Sequence, residues 1–474
     1  AHHRIKEMER RVSSCPVLFA WDGKHFGFIG DFAGVGGLGY YVAPGEYAQP
    51  QARELVRIAR DKLKAKDGFY ELRICEPMEE VAYIDRLELI AVDHLRDVDV
   101  YPDERLTITG PPPSQKLLCP ADPVFPVEAI GPKGGIDVDR LKHTDRRYAY
   151  QPELDRRFVG FCREHSLVLD FGGRLQNLDP NRDVYLFLTG WIEYPYSQTT
   201  YAAAQAGVHW QPMKIERLSA EGEWETVVED AGAPGGMNRT IAVDLTGKLS
   251  LLGRESSLHS EERELLGRES FLDPQEASGT KPGREGILDP AATCKLRITT
   301  NLEIYIDQAF IAVDRGTQGF TFHTLPPAGA DLHRLGFPME FSPDGQHPTV
   351  YTYDVIEPTS SFKMPSGAYT RYGPVNELLH EFDDQYVILG TGDEITVKFD
   401  ARTLPSLLED QVRTFILVSH AYCKDMDLYT AYPDTVEPLP SKSMTRYPYT
   451  KAEAERELET YQLWGAVYNK RIVR

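Results

Sequence analysis

The feature that most constrains this chain is an internal duplication. Leu72-Arg73-Ile74 is followed by Tyr83-Ile84-Asp85 and then by Ile90-Ala91-Val92-Asp93. Far downstream, Leu296-Arg297-Ile298 is followed by Tyr305-Ile306-Asp307 and Ile311-Ala312-Val313-Asp314, with spacings that differ by one or two residues. A second pair links Leu167-Val168-Leu169-Asp170-Phe171 and Val184–Leu188 to Ile395–Phe399 and Val412–Leu417. The modules therefore run A, B, A′, B′, and a repeat of this kind restricts the fold before any single element is assigned.

The modules alternate apolar and polar residues and then turn continuously apolar, as at Leu89-Ile90-Ala91-Val92. Alternation marks a strand with one wet face; continuity marks a strand covered on both. Short strands with frequent turn signals, in a chain with 33 Pro and 38 Gly, read as sandwiches. We expect a mainly β fold of tandem β-sandwich domains, jelly-roll or galactose-binding-like, with a short C-terminal helix. B and A′, roughly residues 160–315, should form one sandwich, and A and B′ should belong to neighbouring ones. The implied division is a helix or tail at 1–14, a first β-rich domain at 15–155, and a central sandwich at 156–316. A third β-rich domain follows at 317–450 and a helix at 451–474. The helix stripe would be Leu458, Tyr461, Leu463, Trp464 and Val467. Residues 251–290 carry a short tandem repeat, Leu-Leu-Gly-Arg-Glu-Ser at 251 and again at 265, and read as an expanded loop or a partner-binding arm.

Local signals add detail. Val17–Trp21, Asp22-Gly23 and His25–Ile29 spell a hairpin. Residues 51–66 fit either a helical stripe or a strand. Gly34 to Gly39 spells GxGxxG, but Tyr40-Tyr41-Val42 and Pro44-Gly45 follow where a dinucleotide site needs a helix, so no cofactor is expected.

Lys and Arg number 52 against 72 Asp and Glu, a net charge of −20. Such a surface repels phosphate backbones and anionic bilayers, so nucleic acid is excluded as a partner. No apolar run is long enough to span a bilayer. The chain begins with Ala1, which fits a processed terminus as well as a truncation. The six cysteines are far apart with no CxxC pair, which argues for buried free thiols and against structural zinc.

No GxSxG or HExxH motif occurs. Oxygen-rich Asp425 and Asp427, with Asp434 and Glu437 beyond, are candidate ligands for Ca2+, which takes six or more oxygens. Asp97, Asp99, Asp103 and Glu104 form a weaker acidic cluster. Trp191, Trp210 and Trp224 fall in the central sandwich and are candidates for stacking on sugars, although a sandwich Trp is more often core. Asn238-Arg239-Thr240 is a glycosylation sequon.

Cys15–Gly23, Tyr83–Asp85, Ala91–His94, Gly235–Arg239, Leu296–Asn301 and Lys424–Pro440 resemble the C-terminal β-rich region of large bacterial proteins carrying TPR, FG-GAP and ASPIC/UnbV segments. The likeness covers most of residues 15–450. It implies structural signatures and no assigned reaction; FG-GAP and TPR units are themselves absent, and the 251–290 insert departs from the pattern. The expected function is that of a non-enzymatic extracytoplasmic structural or interaction protein, with self-association into a surface or filament assembly or contact with other surface proteins. A carbohydrate-binding protein and an enzyme of unrecognised type are the alternatives.

Overall fold

The computed structural model describes residues 16–34, 37–107, 112–179, 181–236, 238–249, 294–345, 347–449 and 463–474. The expected tail at 1–14, the 251–290 insert, Cys15 and the first part of the C-terminal helix lie outside the described residues. Strands make up 47% of the chain and helices 8%, arranged in antiparallel sheets, so the fold is mainly β.

The strands build two sandwiches, one interrupted by the other. In the inner one, Pro120–Val124, Ile304–Asp314, Val184–Ile192 and Arg239–Asp244 form one sheet in that order. Gly134–Ile136, Glu128–Gly131, Phe161–Asp170, Lys295–Leu302, Lys214–Leu218 and Trp224–Val228 form its partner. Leu167, Leu169, Leu186, Leu188, Leu296 and Ile298 meet between them. This is the sandwich expected from B and A′.

The outer sandwich takes strands from both ends of the chain. Phe26–Asp31, Val17–Trp21, Phe69–Cys75, Asp393–Asp400, Pro327–Arg334 and Gly373–Pro374 lie in order in one sheet. Thr321–Leu325, Glu80–Leu95, Gln411–Asp425 and Arg53–Ile58 form the other. Here the structure departs from the division at 155 and 316. A and B′ do not enter separate sandwiches; they pair with each other. Residues 120–136, expected in the first domain, belong to the inner sandwich. Strand partners are chosen by matching apolar faces and register, which carry no information about separation along the chain.

The duplication is exact in register. Leu72 faces Val397 and Ile74 faces Ile395 in the outer sandwich; Leu296 faces Leu169 and Ile298 faces Leu167 in the inner one. Both also share a bulge. Asp85 is the unpaired residue opposite His420 and Ala421, and Asp307 the unpaired residue opposite Thr189 and Gly190. A Cβ on Gly190 would sit 2.1 Å from the Tyr305 carbonyl oxygen, so only glycine fits there. Each bulge aspartate is wholly buried and accepts two backbone N–H groups: Asp383 and Asp384 donate to Asp85, Asp145 and Arg146 to Asp307. Asp384 and Arg146 both hold left-handed φ, 68° and 69°.

Residues 51–66 resolve as strand Arg53–Ile58, not helix. The hairpin at Val17–Asp31 forms as expected. At the C-terminus, helix occupies 463–468, and Arg471–Val473 is a strand paired with Gly367–Tyr369. Among the described members of the expected apolar stripe only Trp464 is buried, Leu458 and Tyr461 lying outside the described residues. Leu463 and Val467 are exposed, while Trp464 and Tyr468 pack into the outer core, because the helix touches the sandwich through its bulkiest aromatics.

An ionic cluster bolts the sandwiches together. Arg239 opens an inner strand and reaches Asp31 (3.1 Å), Glu54 (2.6 Å) and Glu104, all buried and all outer-sandwich or linker residues. Burial pushes Glu104 up to about 8 against the pull of Arg239, and raises Glu54 likewise. Asp85 is pushed up to about 7 and Asp307 to about 6, again chiefly by burial.

These carboxyls hold protons when folded at pH values where the unfolded chain, titrating near pH 4, has released them. The folded state therefore binds more protons, and stability falls as pH rises from about 4 to about 8. Burial depresses His420 to about 4, lowers His165, and depresses Lys424 to about 7. The histidines oppose this trend below about pH 6.5 and Lys424 above about pH 7, but the raised carboxyls, with Glu76 at about 8 and Asp425 at about 7 among them, outnumber these bases. The melting temperature is expected to fall between about pH 6.5 and 8, and Glu104→Gln should flatten that slope. A melting temperature that climbs across the window by calorimetry would contradict this account.

Candidate functional site

Between the sandwiches, the strand Val184–Ile192 runs out through Glu193-Tyr194-Pro195-Tyr196 into helix Ser197–Gln205. Residues 37–39 lie opposite, with Gly37 bridged to Cys423, and the strand Tyr41–Ala43 follows where a dinucleotide site needs a helix. Tyr41–Ala43 and Glu46–Tyr47 make a small hairpin that sets Tyr41 directly across from Tyr47. Their rings lie 4.1 Å apart and the Tyr47 hydroxyl donates to that of Tyr41.

Two further segments bring aromatic rings to the same place. Tyr201, from the helix, stacks on Tyr429 at 4.3 Å and 17°, and Tyr41 meets both edge-on. Burial first, and then the bond to Tyr41, push Tyr47 up to about 12, with a smaller contribution from Tyr432. Tyr432 is 55% exposed and holds φ at 55°, a left-handed conformation that a bulky residue adopts at a cost. Leu428 (82% exposed) and Tyr429 (38%) complete an outward-facing aromatic surface.

A cavity of about 80 Å³ opens beside this surface, bounded by Tyr40, Tyr41, Tyr196, Trp210 and Asp425. Asp425 is buried, accepts from the Thr430 hydroxyl, and is pushed up to about 7, by burial first and the Asp427 charge second. Asp427 accepts backbone N–H groups from Tyr429 (2.9 Å) and Gln198 (3.2 Å), fastening the 429 loop to the start of the helix. Burial raises its pKa.

The four expected calcium ligands do not converge. Asp425 and Asp427 are neighbours here, but side chains alternate along a strand, and Lys424 points the other way. Lys424 bonds the Val436 carbonyl (3.1 Å) and feels the Glu437 charge, so Glu437 lies on that opposite side. Asp434 uses its carbonyl to accept from Ser366. In the weaker cluster, Asp99 pairs with Arg57, Asp103 with Arg105, and Glu104 with Arg239. Among the described residues the group of side chains close enough to share an ion is a different one, Glu76, Glu80 and Cys423.

The tryptophans are likewise dispersed. Trp191 is 1% exposed and stacks on Tyr305 at 4.4 Å, so it is core. Trp224 is half-buried under the Arg297 guanidinium, 4.5 Å from the ring centre. Only Trp210 reaches the cavity. The sequon residue Asn238 is half-buried and donates its amide to Asp307 (3.2 Å), so a glycan there would break an internal bond. Cys75, Cys119, Cys162, Cys294 and Cys423 are all free thiols, as expected.

A second, wider cleft of about 1330 Å³ has Trp191, Glu193, Glu303 and Tyr305 in its lining. Glu193 and Glu303 face each other across adjoining strand ends, and the Tyr305 hydroxyl donates to Glu303 at 2.7 Å. The tyrosine surface was invisible in the sequence because its five rings come from positions 41 to 432; a count of 25 Tyr was the one hint. Comparison with family models, curated proteins and solved structures finds no match to this chain.

Proposed function

We propose that this chain is a non-enzymatic extracytoplasmic binding protein whose ligand is a glycan laid across the surface of Tyr41, Tyr47, Tyr201, Tyr429 and Tyr432. The observation that supports this most is the Tyr201–Tyr429 stack, with Tyr41 edge-on to both, in a segment where Tyr429 and Tyr432 are exposed and Tyr432 holds a left-handed backbone conformation. Backbone strain of this kind persists where the surroundings enforce it and concentrates at ligand sites. Tyrosine offers an apolar face to a sugar ring and a hydroxyl to its polar edge, at small entropic cost. Trp210 and the Asp425 carboxyl, beside the rings, supply further stacking and hydrogen bonding. The free thiols lend no support to an oxidising compartment, so placement outside the cytoplasm rests on the acidic, repetitive sequence alone.

The test is a glycan array followed by calorimetric titration. The intact chain should bind a defined glycan class, and Tyr429→Ala should weaken binding by roughly tenfold, about 1–2 kcal/mol. Tyr432→Gly is the sharper variant. It should lose binding while keeping or raising the melting temperature, since strain worth roughly 1–3 kcal/mol is relieved. An array without hits, or full binding by Tyr432→Gly, removes the reading.

Self-association is a second reading, favoured by strand Thr321–Leu325. It lies at the edge of its sheet with Phe322 43% exposed, and such edges are pairing sites between chains. Sedimentation at rising concentration tests it, and a chain that stays monomeric throughout excludes it.

A further inference from the structure

We propose that Glu76, Glu80 and Cys423 hold a divalent transition-metal ion of the zinc type, in the outer sandwich beside the tyrosine-lined cavity. The three are 347 residues apart at the extremes in sequence, yet one ligand atom from each lies within 4.8 Å of the others, and all three are buried. Glu76 directly follows strand Phe69–Cys75 in one sheet; Glu80 and Cys423 lie on paired strands of the other. The site therefore joins the two sheets.

Backbone bonds fix each ligand. The Glu76 N–H donates to the Asp393 carbonyl (3.0 Å), and the Glu76 carbonyl accepts from Gly392 (2.6 Å). The Cys423 carbonyl accepts from the Leu38 N–H at 2.8 Å, next to Gly37 on the cavity wall. Asp425, also on that wall, pairs in register with Glu80, so the site adjoins an opening.

The chemistry of the donors calls for a cation. Cys423 Sγ sits 2.9 Å from Glu80 Oε2. Glu76 accepts one backbone N–H, from Met78 at 3.0 Å, through Oε1. Its other oxygen, Oε2, is buried without a hydrogen-bond partner among the described residues, an arrangement that folded proteins avoid. The charged neighbour that acts on Glu76 is Asp393, another carboxylate. A thiolate in the set selects zinc, cobalt or iron over calcium and magnesium, which take oxygen alone. Three protein ligands leave one of zinc's four tetrahedral positions for water or a ligand group. The absence of close Cys pairs in the sequence is no obstacle, because the fold assembles the set from distant strands.

The experiment uses the full chain, stripped with chelator and titrated with Co2+. One equivalent per chain should produce a thiolate-to-cobalt charge-transfer band and raise the melting temperature, and Zn2+ should then displace the band. Cys423→Ser should abolish it; Cys75→Ser, whose thiol lies on Glu394 instead, should retain it. Glu76→Gln keeps volume and should raise the cobalt concentration at half-saturation by about tenfold or more. The proposal is overturned by cobalt binding without a charge-transfer band, by a band that survives Cys423→Ser, or by an unchanged half-saturation in Glu76→Gln. None of these readings depends on glycan binding.

Discussion

Residues 96–316 expressed alone are expected to fold and melt cooperatively, whereas residues 16–95 expressed alone are expected to stay unfolded. The longer fragment carries every strand of the inner sandwich and its whole core. It also keeps the linker residues Tyr101 and Leu118, which cover Phe187 and Phe310 on the sheet's outer face. The shorter fragment has five of the strands that line the outer core but lacks their partners. Phe69–Cys75 would be left without Asp393–Asp400, and Glu80–Leu95 without Gln411–Asp425. What remains is a three-stranded ribbon of Phe26–Asp31, Val17–Trp21 and Phe69–Cys75 whose apolar face has no opposing sheet, since Glu80–Leu95 and Arg53–Ile58 are joined only through Gln411–Asp425. Such a ribbon is marginal in water. Adding residues 317–474 as a separate chain should restore strand signal by circular dichroism. A cooperative melt for 16–95 by itself would refute the shared sandwich.

Arg239→Met is expected to cost about 3–5 kcal/mol, because it strands buried carboxylates that share one guanidinium. Asp31, Glu54 and Glu104 all lie within its reach, and Arg239 is held in place further by the Asp31 carbonyl at 2.9 Å. Glu104→Gln should cost far less. Glu104, pushed up to about 8, is already protonated over much of the neutral range, and glutamine keeps an acceptor for the Leu55 N–H. The loss in Arg239→Met should shrink toward acid pH as Glu54, whose pKa burial raises, takes up a proton. Urea titrations at two pH values measure both effects; equal losses for the two variants would show that the cluster is not electrostatic in origin.

The strands were legible in the sequence where apolar alternation was clean, as at Phe69–Cys75, and the inner sandwich followed from B lying next to A′. The outer sandwich was not legible, because nothing in Leu72-Arg73-Ile74 says that its partner is Ile395–Val397, over three hundred residues away. One overlooked signal was available. Asp145-Arg-Arg-Tyr148 and Asp383-Asp-Gln-Tyr386 share a D-x-x-Y spacing, and each supplies the turn that the bulge aspartate caps. Their tyrosines also match: Tyr148 packs on Trp191 and Tyr305, Tyr386 on Tyr422 and Tyr83. The candidate sites were the least legible part. Carboxylates near in sequence, such as Asp425 and Glu437, diverge across a strand, whereas Glu76 and Cys423 converge across the fold.

The interrupted outer sandwich has a consequence for how the chain is made. Strand Glu80–Leu95 leaves the ribosome 316 residues before its central partner Gln411–Asp425 begins. At about 5–20 residues per second this is a wait of roughly 15–60 s with an apolar strand uncovered. The inner sandwich can close during that interval and become the template on which the two ends meet. Synthesis thus runs from the middle outward, and a nascent chain stalled before residue 411 carries a finished centre with a sticky, half-made shell that a chaperone must shelter.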